Sequence, residues 1–145
     1  MNSTGSAPPA VSLPMLSDAL DRLFAPWVRQ LNLHVIAATA GDVQLLLPVA
    51  PPHVHGGGVL CGQTLMAAAD TAMVLAVMSR LGEFKPMTTV QLNTTFLRPV
   101  PADSGPVQLT ARVLRMGRSL VFGEVHLHGA DGSLAAQVTT TYALL

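Results

Sequence analysis

The sequence predicts an α+β domain in which one long hydrophobic helix is wrapped by a curved antiparallel sheet of five to six strands, with a short helix ahead of both. Three observations carry this. The stretch from about Gly62 to Arg80 is nearly all apolar and contains no helix breaker; two segments of period-two patterning precede it and four follow it; turn-forming residues separate those segments. A single helix too apolar to lie on a surface, accompanied by this many strands, is best buried by letting the sheet enclose it. At 145 residues, 50% of them hydrophobic, the chain holds the material for one core.

The first fourteen residues, MNSTGSAPPAVSLP, are rich in Ser, Gly and Pro and read as a flexible leader, leaving a single domain over 15–145. The leader has neither the basic start nor the continuous apolar segment of a secretory signal, and the lone Cys61 allows no internal disulfide; both agree with a cytoplasmic protein. In LSDALDRLFAPWVRQ, residues Leu16, Leu20, Leu23 and Phe24 fall at helical spacing, with Ser17 or Asp18 as cap and Pro26 near the end. LNLHVIAATAGDVQLLLPV divides at Ala40-Gly41-Asp42 into a hairpin. The helix that follows carries apolar residues on every face, the pattern of burial all round. Its run from Leu65 to Met78 is interrupted by Asp70 and Thr71 and falls short of the roughly 20 residues that cross a bilayer, so a core helix and no membrane partner are expected. MTTVQLNTTFLRPV, PVQLTARVLRM, SLVFGEVHLHG and SLAAQVTTTYALL, separated by PADSG, MGRS and ADGS, then read as successive antiparallel strands.

Eight basic residues balance eight acidic ones, so nothing favours nucleic-acid binding by phosphate neutralisation. Charged residues make up only 11% of the chain, too few to clothe a small monomer, and self-association into a homo-oligomer is expected.

The chemistry concentrates around PPHVHGGGVLCGQTLMAAADTAM. An isolated carboxylate in apolar surroundings costs several kcal/mol, so Asp70 needs a partner or a purpose. Ahead of it, Gly56, Gly57 and Gly58 run towards a helix start, where unpaired N–H groups can hold an oxyanion or the glycines can simply form a tight turn. Gly62 and Asp70 are eight residues apart, about 12 Å along one helix, whereas a base and an oxyanion donor must both reach one carbonyl at about 3 Å. Two helices packed antiparallel across a two-fold axis would bring Asp70 of one copy to the Gly62 end of the other. Cys61, a thiol at a helix start, competes as nucleophile. His53 with His55, and His126 with His128, have the i, i+2 spacing of a metal pair, but neither has a third ligand in reach and no metal is expected.

Within HVHGGGVLCGQTLMAAADTA the residues resemble the core of the PaaI-like acyl-CoA thioesterases of the hotdog superfamily, which reads like N-x(5)-HGG-x(6)-D. A gapless match sets Asp70 at the acid, Gly62 at the first glycine and His55 at the Asn, with Cys61 and Gln63 in place of the His and second Gly. The likeness continues through TTVQLNTTFLRPVPADSG, where Thr89 is a small hydroxyl residue ahead of a strand ending at Pro99. It reaches LRMGRSLVFGEVHL, similar to the strand pair whose basic turn lies near coenzyme A, so that it covers residues 32 to 145. The resemblance implies a hotdog fold and hydrolysis of an acyl-CoA thioester at the interface of a homodimer, a tetramer remaining open. Asp70 would be base or nucleophile, Gly62 N–H the oxyanion donor, His55 and Gln63 the groups holding carbonyl or water, and Thr89 a positioner of water. Arg118 first, then Arg115 and Arg112, are the candidates for coenzyme A phosphates, the coenzyme being part of the substrate and no separate cofactor being implied. A dehydratase or hydratase on the same fold, or a non-catalytic acyl-CoA binder, are the rival readings; the GHFPxxPVMPG-like loop of the dehydratases is absent.

Overall fold

A computed structural model describes residues 11–145; most of the expected leader lies outside the described residues. Helix α1 spans Leu13–Arg22 and is capped by Ser12, whose Oγ accepts the Met15 N–H at 3.4 Å. The cap is therefore neither Ser17 nor Asp18, and the last two residues assigned to the leader are helical. Pro14 falls in the first turn, where its missing N–H costs nothing. For the same reason Pro26 opens a second short helix, α2 (Pro26–Arg29), instead of closing the first.

Strands β1 (His34–Thr39) and β2 (Asp42–Leu47) form the expected hairpin, turning at Gly41 with φ of +80°, a conformation open to glycine. A single 3-10 turn at Pro51–His53 leads into α3 (Gly62–Leu81), which ends at Gly82 in the left-handed conformation. Strands β3 (Met87–Phe96), β4 (Val107–Met116), β5 (Leu120–His128) and β6 (Leu134–Leu144) complete a six-stranded antiparallel sheet of order β1-β2-β4-β5-β6-β3. The last four strands are thus not all paired in succession. The β3–β4 connection carries Pro99, Pro101 and Pro106 and is too long and stiff for a hairpin, so β3 crosses to pair with β6 at the sheet edge.

Helix α3 sits in the curve of the sheet, chiefly over β2, β4 and β5. Leu45, Leu47, Leu109, Val125 and Leu127 meet Leu75, Ala76 and Val77 in one fully buried cluster. Gly123 of β5 makes room for α3: a Cβ there would stand 2.3 Å from Met73 Cε and 2.9 Å from the Arg112 carbonyl oxygen. A side chain there would have to displace the Met73 thioether and press on the β4 backbone. Where α3 ends, Ser79 Oγ accepts the Gly41 N–H at 2.9 Å and lies 2.7 Å from the Ala76 carbonyl, fastening the helix to the β1–β2 turn.

By length and hydropathy α3 could cross a membrane, but 67% of its most apolar window is buried inside the fold, as befits a core helix. Burial is not complete all round, contrary to the sequence pattern. Gln63 is exposed, and Met66, Ala67, Asp70 and Val74 are only half-buried. At spacings of three and four these residues form one open stripe along α3, which includes Asp70 beside β3 and β6.

Candidate active site

Asp70 lies midway along the open stripe, so its carboxylate is carried by a rigid helix yet borders solvent. Two hydroxyl groups meet it from the sheet. Thr89 Oγ1 donates to Asp70 Oδ1 at 2.9 Å. The Tyr142 hydroxyl also meets Oδ1 in a short hydrogen bond and lies 2.8 Å from the Asp70 backbone carbonyl. Thr89 and Tyr142 are direct cross-strand partners of β3 and β6, which is why both hydroxyls arrive on the face that α3 covers. A bulge after Thr89 shifts the register, so that Val90 is left 60% exposed while the Thr89 hydroxyl, on an exposed residue, still reaches Asp70.

Tyr142 is 1% exposed, and its phenol is pushed far above the ordinary range for tyrosine, first by burial and then by the adjacent Asp70 carboxylate. At neutral pH it is a fixed donor. The sequence reading missed it, although a signal was present: Ala136, Val138, Thr140 and Tyr142 alternate onto the inner face, and a buried phenol must find an acceptor.

The other candidates lie elsewhere on the protomer. Gly62 is the first residue of α3, where its N–H has no acceptor within the helix. The ring of Phe96 lies over it, with Cζ 3.1 Å from where a Cβ would be. Leu65, Phe96, Leu97 and Arg98 continue from Gly62 into an open groove of about 380 Å³. Gln63, one residue on, faces a separate hollow of about 280 Å³ with Trp27, Gln30 and His53. His55 is exposed in the loop before the helix, and its Nδ1 accepts the Gly57 N–H at 2.9 Å.

The triple glycine is a turn and not the helix start: the Gly58 N–H is bonded to the His55 carbonyl at 2.9 Å, and α3 begins four residues later. Cys61 is the N-cap, and its sulfur lies 2.9 Å from Thr64 Oγ1, its one side-chain hydrogen-bond partner among the described residues. His126 and His128 share the outer face of β5, their rings 6.4 Å apart; among the described residues no three His, Cys, Asp or Glu side chains gather as a metal-holding group.

Within one protomer the structure thus brings together Asp70 and Thr89, with Tyr142 added, and does not bring Gly62, His55 or Gln63 to them. Arg118 occupies the β4–β5 turn, at the sheet end that also holds Tyr142, since the Leu144 N–H donates to the Ser119 carbonyl at 2.8 Å. Arg118 and Arg115 are exposed, whereas Arg112 is committed to Asp42 at 3.1 Å.

Comparison with known proteins gives this geometry a context. Residues 52–136 match the family model described as the thioesterase superfamily, a span that includes α3, Asp70 and Thr89. A Thermoplasma volcanium protein named as an inferred esterase is 30% identical over 104 residues, covering 72% of this chain and 76% of its own. The zebrafish thioesterase superfamily member 2 superposes with a TM-score of 0.79 at 27% identity, over 92% of this chain and 95% of its own. The E. coli PaaI protein, from the phenylacetic acid degradation operon, superposes with a TM-score of 0.79 at 18% identity, over 92% and 96% of the two chains. A Streptococcus pneumoniae thioesterase-type protein solved with coenzyme A gives 0.72 at 18%, over 79% and 86%. With its family match spanning more than half the chain and its six-stranded sheet curved around α3, the protein belongs to the thioesterase superfamily and has the hotdog fold that it shares with the E. coli PaaI protein.

Proposed function

We propose that the protein hydrolyses acyl-CoA thioesters at a site shared by two copies of the chain, each supplying Asp70 to the Gly62 end of the other. The observation that carries the reading is the Asp70 carboxylate, tethered by hydroxyl groups on the open stripe of the core helix. It is about 12 Å from the free N–H of its own Gly62. Family membership supplies thioester or ester hydrolysis, and the coenzyme A held by the Streptococcus pneumoniae neighbour supports coenzyme A as the thiol.

The open stripe and the exposed Val90 and Phe96 of β3 support a second copy, since an edge strand with apolar side chains is suited to pairing. Asp70 then removes a proton from water as the water oxygen attacks the thioester carbon, or attacks that carbon itself to form an anhydride that water opens. In either case the C–S bond breaks, the thiolate takes up a proton, and a carboxylic acid leaves. The Gly62 N–H of the second copy meets the oxyanion, at the positive end of the α3 dipole. His55 and Gln63 of that copy orient the carbonyl or water, and Thr89 helps to place water at Asp70. Arg118, with Arg115, pairs with coenzyme A phosphate.

A panel of saturated acyl-CoA esters and one enoyl-CoA, read with a thiol-reactive dye and by absorbance, tests this on wild type and Asp70→Asn. Thiol release by the wild type, reduced at least about a hundredfold in Asp70→Asn, is expected. Release unchanged in Asp70→Asn overturns the assignment, as does hydration of the enoyl-CoA, or tight binding, with no thiol released by the wild type. Light scattering of a dilute sample should give at least a dimer; a monomer that turns over excludes the shared site.

A further inference from the structure

The geometry points to Tyr142 as a positioning residue for hydrolysis: with Thr89 it occupies Oδ1 of Asp70, so that Oδ2 is left as the oxygen that meets water or thioester. The inference rests on the catalytic reading of Asp70. A carboxylate on a helix turns about two side-chain torsions, and a reacting oxygen misplaced by about an ångström is expensive in rate. Here one oxygen is spoken for twice. Thr89 and Tyr142 both reach Oδ1, whereas Oδ2 has no hydrogen-bond partner among the described residues.

The two donors differ in kind. Thr89 is exposed and its hydroxyl can exchange its acceptor for water, whereas the Tyr142 ring is wedged between sheet and helix at 1% exposure. At Asp70 its single proton meets Oδ1 and the backbone carbonyl oxygen, while the Thr89 and Thr140 hydroxyls also lie beside the phenol. The charged carboxylate is the stronger acceptor, and the carbonyl already lies in the helix. Burial and the Asp70 carboxylate keep the phenol protonated at neutral pH, so it donates throughout the working range and supplies no proton to the substrate. At its depth it cannot touch a substrate, and its effect must pass through Asp70.

Tyr142→Phe removes the hydroxyl and keeps the ring. Against the best acyl-CoA of the panel, kcat should fall about ten- to a hundredfold with KM within about twofold, the pattern of a misplaced reacting group. Adding Tyr142→Phe to Asp70→Asn should leave the residual rate of the single variant unchanged, because the group being positioned is already gone. A kcat unaltered in Tyr142→Phe while Asp70→Asn is inactive overturns the inference and leaves the catalytic acid standing. A double variant clearly slower than Asp70→Asn overturns it as well, since Tyr142 would then act by another route. Retained turnover in Asp70→Asn refutes the functional reading instead. A second readout needs no turnover: Tyr142 is the single tyrosine of the chain, so the rise of near-ultraviolet absorbance with alkaline pH, to which the non-titrating Trp27 does not contribute, reports its ionisation. Tyrosinate should form at lower pH in Asp70→Asn than in wild type, and equal onsets overturn the coupling.

Discussion

Gly123 of β5 leaves room for the Met73 side chain of α3 and for the β4 backbone, and Gly123→Ala tests what that room is worth. A Cβ built at Gly123 stands 2.3 Å from Met73 Cε, 2.4 Å from Met73 Sδ and 2.9 Å from the Arg112 carbonyl oxygen, where ordinary contact begins near 3.4 Å. The Met73 thioether is flexible and can swing away. The Arg112 carbonyl belongs to the β4 backbone, one row from the Val113–Gly123 pair, and cannot move without distorting the ladder. Overpacking of this kind costs about 1–3 kcal/mol. For a domain of this size each kcal/mol lowers the melting temperature by about 4 °C, so calorimetry should show a drop of about 4–12 °C. Met73→Ala in the Gly123→Ala background should restore part of the loss, with a coupling of about 0.5–3 kcal/mol. A melting temperature within about 1 °C of wild type for Gly123→Ala, or strictly additive variants, would show that this contact does not matter to stability.

Ser79→Ala strands the Gly41 N–H, which donates to Ser79 Oγ at 2.9 Å in a buried setting. A loss of about 1–3 kcal/mol in urea unfolding is expected, and an unchanged midpoint and slope would remove Ser79 as the fastener. The pH dependence of stability should carry the mark of Tyr142. Its folded pKa is raised, so the native state keeps the proton longer than the unfolded chain does; the stabilisation is complete below the unfolded value near 10 and declines as pH rises past it. Wild type should therefore lose stability more steeply above about pH 10 than Tyr142→Phe, and parallel curves would contradict the buried, carboxylate-bonded phenol.

The six strands, the helix at Gly62 and the hairpin at Gly41 could be read from the chain because each depends on local pattern: alternation, an unbroken apolar run, a turn residue. Misreadings arose where a tertiary neighbour decides. Pro26 suits either the end of one helix or the start of another, and the seating of α1 and α2 against α3 settles which. Of the two readings left open for the three glycines, an anion site or a tight turn, the turn is what forms, closed locally through His55 with two of their N–H groups. Apolar residues all round α3 suggest complete enclosure, yet the sheet leaves a stripe of the helix that includes Asp70 only half-buried.

Asp70 was conspicuous in the sequence because an acid in an apolar helix has few uses, and the spacing to Gly62 follows from helical rise alone. Its hydroxyl partners were a different matter. Thr89 stood out only through a family likeness, and Tyr142, seventy-two residues from Asp70, not at all. Sequence fixes the period of each element and hence which residues share a face. Which faces meet depends on strand order, and β3 reaches β6 only because a proline-rich connection bars it from pairing with β4. That crossing sets Thr89 beside Tyr142 and both beneath the acid, an arrangement made by packing over distance and written in no local pattern.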